Sequence, residues 1–469
     1  MTGRLNNINK QLKNTFNFQK MSIKRHILSK STFMYGCQCP LRLYFHKFKP
    51  ELRNPEDEEQ TTIFSAGTNV GILAQGLFPG GINAEPPDPF SYHLSVEKTQ
   101  ELIKQGANVI YEAAFNFEGL LCAIDILVLK AGRYYAYEVK GSTKVKDTFI
   151  RDASFQYYVI TNSGVKLEDI FIVHLDNQYV RVGDLEIEKL FAVESIHDQV
   201  KENQKFIAEK AEELKELVRA KKEPDISPGN HCFAPYECDF TVHCWKNVVK
   251  ESEDPDEECF DAESVNEFLD EFEYPLYFFD FETLMPAIPE FDYSRPYQQI
   301  AFQYSLHVQK DKGSEIKHFA YLGDGKSDPR EGLIKQLLQE LEGSGSIVTW
   351  NKTFEITRLK EMARDFPEYG ERLLALVERV VDLMVPFRRK DINHPEFEGS
   401  YSLKKVLPVL VPELSYDNLD VQEGGTASLM YAGLKNQPEE VQKLQRGQLL
   451  EYCHLDTLAM VKILEKIKG

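Results

Sequence analysis

No apolar run in this 469-residue sequence approaches the roughly 18 to 20 residues that cross a bilayer, and its start has no hydrophobic signal-peptide core. These absences lead us to expect a cytoplasmic protein without a membrane partner. Internal repeats and long low-complexity tracts are also missing. The first fifty residues contain no Asp or Glu, yet ten Lys and Arg fall between Arg4 and Lys49. A basic arm that meets a phosphate backbone is one reading. The others are a disordered or mis-started extension over residues 1–21, and an organelle-targeting peptide, against which the prominence of Asn and Gln speaks.

The rest of the composition is that of an ordinary folded protein, 42% hydrophobic and 28% charged, and the length suggests two or three domains. The net charge of −19 speaks against nonspecific coating of a polyanion. Acidic groups that hold cations add to that total, however, without preventing phosphate binding once the cations arrive. A composition shift at Glu251-Ser252-Glu253-Asp254-Pro255-Asp256-Glu257-Glu258 marks an acidic linker over 249–272.

Ahead of that boundary, short strands are predicted at Val109–Phe117, Leu121–Leu129 and Arg133–Val139, with turn signals at Glu118-Gly119 and Ala131-Gly132. A helix is predicted over Thr148–Ile160. Asp125 lies on the second strand, while Glu138 and Lys140 share one face of the third. Carboxylates hold a hard divalent cation, and an ammonium beside them can orient water or neutralise developing charge, as phosphodiester hydrolysis requires. Cys232, Cys238 and Cys244 follow at intervals of six positions, with Cys37 and Cys39 near the other end. In a cytosolic chain such thiols favour a metal over disulfides, either an iron-sulfur cluster or a structural Zn²⁺. Cys122, Cys259 and Cys453 read as isolated core or surface residues.

Beyond the boundary the apolar run Leu276-Tyr277-Phe278-Phe279 ends in Asp280-Phe281-Glu282, whose two carboxylates share a strand face. Strands are predicted at Gln299–Val308 and Glu315–Leu322, a helix at Gly332–Leu341, and a short strand at Ile347-Val348-Thr349-Trp350. Asn351-Lys352-Thr353-Phe354-Glu355 opens another helix. Tyr452 and Asp456, four apart on a helix, share a face. So many like charges in one small volume raise each other's pKa unless metal is bound. His454 sits between Tyr452 and Asp456, and Glu451 stands five positions before Asp456. His243 and His394 read as ordinary surface or loop histidines.

Two resemblances follow from these motifs. Cys39-Pro40-Leu41-Arg42-Leu43-Tyr44-Phe45, Asp125, Glu138-Val139-Lys140, Gln156 with Tyr157 and the late cysteines make residues 22–248 resemble the RecB-like PD-(D/E)xK nucleases that carry a 4Fe-4S cluster, including CRISPR-associated single-domain members. That likeness implies a restriction-endonuclease-like α/β fold. It implies Asp125, Glu138 and Lys140 as catalytic, Gln156 and Tyr157 at the substrate, and Cys39, Cys232, Cys238 and Cys244 on the cluster, with Cys37 as rival to Cys39. Those relatives place a histidine ligand on an early helix after a glycine, where this chain offers Gly71. Either Glu112 completes the coordination or the domain binds nucleic acid without cutting it.

Residues 273–469, through Asp-x-Glu, Asn-x-x-Phe-Glu and Tyr-x-x-x-Asp in that order, resemble the DEDD 3′–5′ exonucleases of the proofreading type, tyrosine branch, with a ribonuclease H-like α/β fold. The likeness implies that Asp280, Glu282, Glu355 and Asp456 hold Mg²⁺ or Mn²⁺, that Tyr452 positions the attacking water, and that Asn351 and Phe354 meet the substrate. Glu355, one methylene longer than the usual Asp, is the departure. The whole chain resembles a bacterial family of this two-domain build. The implied partner is DNA or RNA, single-stranded or with a free 3′ end; the alternative is a binding subunit in repair or defence whose first domain is a clamp.

Overall fold

In the computed structural model, which describes residues 26–55, 69–246 and 258–468, the chain divides into two units. The first takes the described residues up to Asp176 and from Leu185 to 246, and the second takes Asn177–Asp184 and 258–468. Both are mixed α/β structures, each built on a mixed sheet. Residues 1–25, where most of the basic arm falls, lie outside the described residues. Of the cations that follow, Lys30, Arg42 and Lys49 are each paired with a carboxylate, Glu138, Asp239 and Glu223. Three of the four cations in this part of the basic segment, Lys47 being the fourth, are thus tied into the fold.

The first unit holds a seven-stranded sheet: β1 (Leu28–Ser29), β2 (Ile82–Asn83), β3 (Val109–Phe117), β4 (Leu120–Lys130), β5 (Arg133–Lys140), β6 (Leu167–Leu175) and β7 (Phe191–Ser195). Strands β2 to β7 lie in chain order, and β1 pairs with the start of β4. Glu118 and Gly119 both take positive φ, 47° and 83°, as do Ala131 and Gly132, 51° and 75°. Two successive left-handed residues match the natural strand twist, so each pair closes a tight hairpin. Helices α1 (Lys30–Gln38), α2 (Pro40–Phe48), α3 (Tyr92–Gln105), α4 (Asp147–Asn162), α5 (Gln204–Ala220) and α6 (Thr241–Trp245) accompany the sheet. Phe33, Phe155, Val159, Ile207 and Leu214 from these helices enter one core with Ile110, Phe115, Ile124 and Ile172 from the strands. Strands β4 and β5 stay paired from Lys130↔Arg133 only as far as Ile126↔Tyr137. Asp125 and Glu138 stand just past that point, where the strands part.

The second unit contains β8 (Cys259–Phe260), α7 (Ala262–Leu269), β9 (Leu276–Leu284), β10 (Ile300–Gln309), β11 (Ile316–Leu322), α8 (Arg330–Glu340), β12 (Ile347–Thr349), α9 (Lys352–Asp365), α10 (Gly370–Val377), β13 (Val380–Asp382), β14 (Ile392–Asn393), α11 (Leu403–Leu410), α12 (Gly424–Gly433) and α13 (Glu439–Lys468). Its main sheet runs β11-β10-β9-β12-β13, antiparallel through β9 and parallel beyond it. Strand β9 is apolar without alternation because helices cover both its faces. Leu276, Phe278 and Leu284 enter the core that α13 completes, whereas Tyr277, Phe279 and Phe281 enter the one formed with α8, α9 and α10. Asp280 and Glu282 share the parity of Phe278 and therefore face α13. Of the stretch 249–272 read above as an acidic linker, residues 249–257 lie outside the described residues; in the rest, helix α7, capped by Asp261, buries Val265 and Phe268 in the unit's core. Charge on the exposed side of that helix hid its apolar face.

Candidate functional site

The second unit gathers carboxylates from four elements. Asp280 and Glu282 project from β9, Glu355 from the first turn of α9, Asp382 from the end of β13 and Asp456 from α13. One oxygen each of Asp280 and Glu282 lies within 4.8 Å of the other and of Cys453 Sγ. Burial and then the charge of Asp456 push Asp280 well above the usual carboxylate range. Glu282 is pushed up to about 8 by burial and Asp456, and Glu355 to about 8 by burial and Asp382. Burial lifts Asp456 to about 7 against the pull of a hydrogen bond from Tyr416 Oη, 2.6 Å, and of the Lys404 ammonium. Glu355 is 1% exposed, and among the described residues its Oε2 has no hydrogen-bond partner. A desolvated carboxylate oxygen facing other carboxylates fits a divalent cation, which removes the repulsion and the missing bond together.

The sequence motifs give three neighbours no role at the site. Asp382 Oδ1 accepts from Asn351 N–H at 3.1 Å, holding Asn351 in the left-handed conformation, φ 81°, from which α9 starts. Lys404, which lies over the Tyr452 ring at 5.6 Å and the Tyr416 ring at 5.7 Å, supplies positive charge to Glu282 and Asp456. Cys453, read as an isolated residue, is buried with Sγ 4.0 Å from Asp280 Oδ2. Burial and Asp280 raise its pKa far above the ordinary thiol value, so it stays a protonated donor. Tyr452 is buried on the same helix face as Asp456. Asn351 is exposed beside the cluster, but Phe354, expected at the substrate, packs on the α8–α10 side under the Arg358 guanidinium.

These shifts set a pH dependence. Each carboxyl has a folded pKa above its unfolded value, so between about pH 4 and 8 the folded state binds more protons, and stability falls as pH rises. The loss levels off above the folded values. A shift of about three units at a single carboxylate corresponds to about 4 kcal/mol. Metal-free protein carrying Trp245→Phe, so that Trp350 reports on the second unit, is expected to melt at a lower temperature at pH 8 than at pH 5.5, and Mg²⁺ or Mn²⁺ is expected to raise the pH 8 value more. A melting temperature that climbs with pH would mean that the carboxylates are not gathered.

In the first unit Asp125 accepts from Val139 N–H at 2.5 Å, taking the donor that the parted strands release. Burial and the charge of Glu138 push Asp125 up to about 8. Burial opposes the charge of Glu138 too, but Lys30 and Lys140, at 2.6 and 3.0 Å from its Oε1, hold it down at about 2. Lys140 also pairs with Asp152 at 2.8 Å. Glu112 adopts φ 53° on β3, and burial with Glu138 and Glu85 raises it to about 7. Lys30, Glu85 and Asp152 were not foreseen. Gln156, expected at the substrate, is instead fully buried, donating from Nε2 to Glu138 Oε2 and to Ala123 O. Tyr157 likewise packs against the core, with its ring 5.7 Å from that of His197. Helix α4 turns both residues inward, one onto the carboxylate and one onto the core.

The four cysteines Cys39, Cys232, Cys238 and Cys244 line a single cavity with Arg42, Phe45, His231 and Phe240. Cys39 is the extended residue, φ −156°, that separates α1 from α2, whereas Cys37 is still helical and packs on the main core. Geometry thus puts Cys39 in the cavity and Cys37 outside it. Gln38 ties this end to the cysteine loop by donating to His231 O and Tyr236 O at 2.8 Å, and Arg42 does so through Asp239. Burial and the neighbouring thiols push Cys244 up to about 11. A metal that accepts thiolates fits this donor set, since without one the thiols would remain protonated. No three of these sulfurs lie within 4.8 Å of one another among the described residues.

Residues 277–402 match a family described as Domain of unknown function (DUF2779). That span takes in Asp280, Glu282, Glu355 and Asp382 and ends before Tyr452 and Asp456. The chain is 34% identical over 206 residues to "Uncharacterized protein MG366 homolog" of Mycoplasma pneumoniae, covering 40% of this chain and 31% of the relative. It is 33% identical over 170 residues to "Uncharacterized protein UU173" of Ureaplasma parvum, covering 31% and 24%. "Uncharacterized protein MG366" of Mycoplasma genitalium is 29% identical over 214 residues, covering 40% and 31%. In each case the matched part is less than a third of the curated relative's length.

Proposed function

We propose that this chain is a metal-dependent nuclease whose second unit, a ribonuclease H-like domain of the DEDD kind, trims DNA or RNA from a 3′ end. The observation that carries this reading is the mutual electrostatic reach of the buried Asp280, Glu282, Glu355 and Asp456, with oxygens of Asp280 and Glu282 within 4.8 Å of each other, Glu355 Oε2 unpartnered among the described residues, and Lys404 and Arg358 as the cations that offset them. These carboxylates would hold Mg²⁺ or Mn²⁺, which when bound would supply an acidified water and charge stabilisation at the leaving 3′ oxygen. The chain's own contribution is placement. Tyr452, one turn before Asp456, orients the water; Tyr416 fixes the Asp456 carboxylate; Lys404 stands where phosphate charge is to be met. Glu355 replaces the usual Asp, but its helix starts from the bent Asn351, which sets where the longer side chain reaches.

The first unit supports a PD-(D/E)xK-like site, Asp125, Glu138 and Lys140, with Glu112 in place of the missing histidine. Its wide thiol spacing suits a 4Fe-4S cluster better than Zn²⁺, because Zn–S bonds of about 2.3 Å draw tetrahedral sulfurs to about 3.8 Å of one another. A second reading is favoured by the Lys30 ammonium, which already neutralises Glu138 from 2.6 Å: here the unit is a clamp that holds the strand without cutting.

The test uses the full chain with Mg²⁺ or Mn²⁺ and 5′-labelled single-stranded DNA and RNA. A ladder shortening from the 3′ end is expected, and blocking that end with a 3′-phosphate should slow it. Glu138→Gln is expected to leave this ladder in place while removing any internal or 5′ cleavage; if it removes none, the first unit is the clamp. Intact oligonucleotides under every condition would overturn the nuclease reading.

A further inference from the structure

Strand β10 carries a second polar group on the face it shares with Asp280. Ser305 lies opposite Asp280 across the β9–β10 ladder and His307 opposite Phe278, so both point toward α13. On its other side His307 pairs with His318 of β11, and His454 of α13 closes over the two. The ring centroids are 4.5, 4.7 and 4.3 Å apart, and one ring nitrogen from each of the three lies within 4.8 Å of the others.

We propose that His307, His318 and His454 bind one borderline transition-metal ion, Zn²⁺ above all, at a site separate from the carboxylate cluster. The second, independent observation is what holds the rings. Thr457 Oγ1 bonds His307 Nδ1 at 2.8 Å, Ser305 Oγ bonds His318 Nε2 at 2.9 Å, and the two hydroxyls bond each other at 2.7 Å. His307 and His318 are therefore each fixed through one nitrogen, which leaves His307 Nε2 and His318 Nδ1 as the atoms available to a metal. Metal-bound histidines are oriented in this way by a partner on the far nitrogen. Burial and then the neighbouring imidazoles hold His307 at about 3 and His318 at about 4, so both are neutral donors at pH 7.

Three imidazoles suit Zn²⁺, Co²⁺, Ni²⁺ or Cu²⁺ and not the hard Mg²⁺ that carboxylates take. They also leave one tetrahedral position free, and the exposure of His318 lets water reach it. The ion would pin α13 to β10 and β11 at the turn of helix that carries Tyr452 and Asp456. It would thus steady the end of the chain that supplies the last carboxylate.

The experiment is equilibrium dialysis of the full chain against Zn²⁺ in excess Mg²⁺, which keeps the carboxylates occupied, with bound zinc counted by elemental analysis. Wild type is expected to hold one more equivalent than His318→Ala, an exposed substitution on an edge strand, while Cys238→Ser retains that equivalent. Thr457→Val, nearly isosteric, should weaken binding roughly 10- to 100-fold. Co²⁺ at the site should show visible bands of tetrahedral nitrogen ligation without sulfur charge transfer. Equal zinc content in wild type and His318→Ala, with both folded by circular dichroism, would reduce the three rings to a packing cluster and overturn the proposal.

Discussion

Asp280→Asn is expected to lower 3′ trimming by about 10³-fold or more while raising the metal-free melting temperature at pH 8. The first effect follows from position. Asp280 feels Asp456, Glu355 and Glu282 together, so it is the carboxylate that the others share. Loss of one preorganised electrostatic group at a reacting centre typically removes 10² to 10³ in rate, and more where groups act as a unit. The second effect has the opposite sign for the same reason. A neutral amide of the same shape removes a buried charge that only metal would have compensated, so the fold gains where the chemistry loses. Together the two readouts separate a catalytic defect from misfolding, which lowers both. Trimming retained within about tenfold would sink the assignment of this cluster as the catalytic centre.

With the proposed iron-sulfur cluster in place, Cys238→Ser is expected to abolish its colour and iron and to open the end of the first unit, whereas Cys37→Ser changes neither. In the proposed cluster, thiolate–metal bonds would join Cys39 to the segment from Cys232 to Cys244 and close a loop of nearly two hundred residues. The same closure is also spanned by the Gln38 bonds, the ion pairs of Arg42 and Arg53 with Asp239 and of Lys49 with Glu223, the bonds of Asn54 to Asp239 O, Thr241 Oγ1 and Val242 N–H, and the small apolar cluster around Phe45 and Phe240. Metal binding at such structural sites contributes on the order of 10 kcal/mol, more than these contacts replace. Limited proteolysis should therefore begin near residues 226–246 in the variant, with 3′ trimming by the second unit preserved. Colour and iron retained in Cys238→Ser, or lost in Cys37→Ser, would put the ligands elsewhere. Zinc in place of iron in the wild-type protein would leave the cavity assignment intact and change only the metal.

The same folding rules decided how much of this was legible beforehand. Side chains alternate along a strand and return every three to four positions along a helix, so the pairing of Asp280 with Glu282, of Glu138 with Lys140 and of Tyr452 with Asp456 was readable from spacing alone. The hairpin turns at Glu118-Gly119 and Ala131-Gly132 were readable too, because the turn chemistry is local. Which distant group meets a given carboxylate is not local. Lys30 reaches Glu138 across 108 positions, and Tyr416 reaches Asp456 across 40. Gln156, expected at the substrate, is turned inward by its helix, and Cys453, read as isolated, is laid on Asp280 by α13. His307, His318 and His454 carry no common spacing because each comes from a different element. The sequence by itself determined which chemical groups share a face of one strand or helix. Tertiary packing alone decided which faces meet, and so which charges are balanced by a neighbour and which are left for a metal.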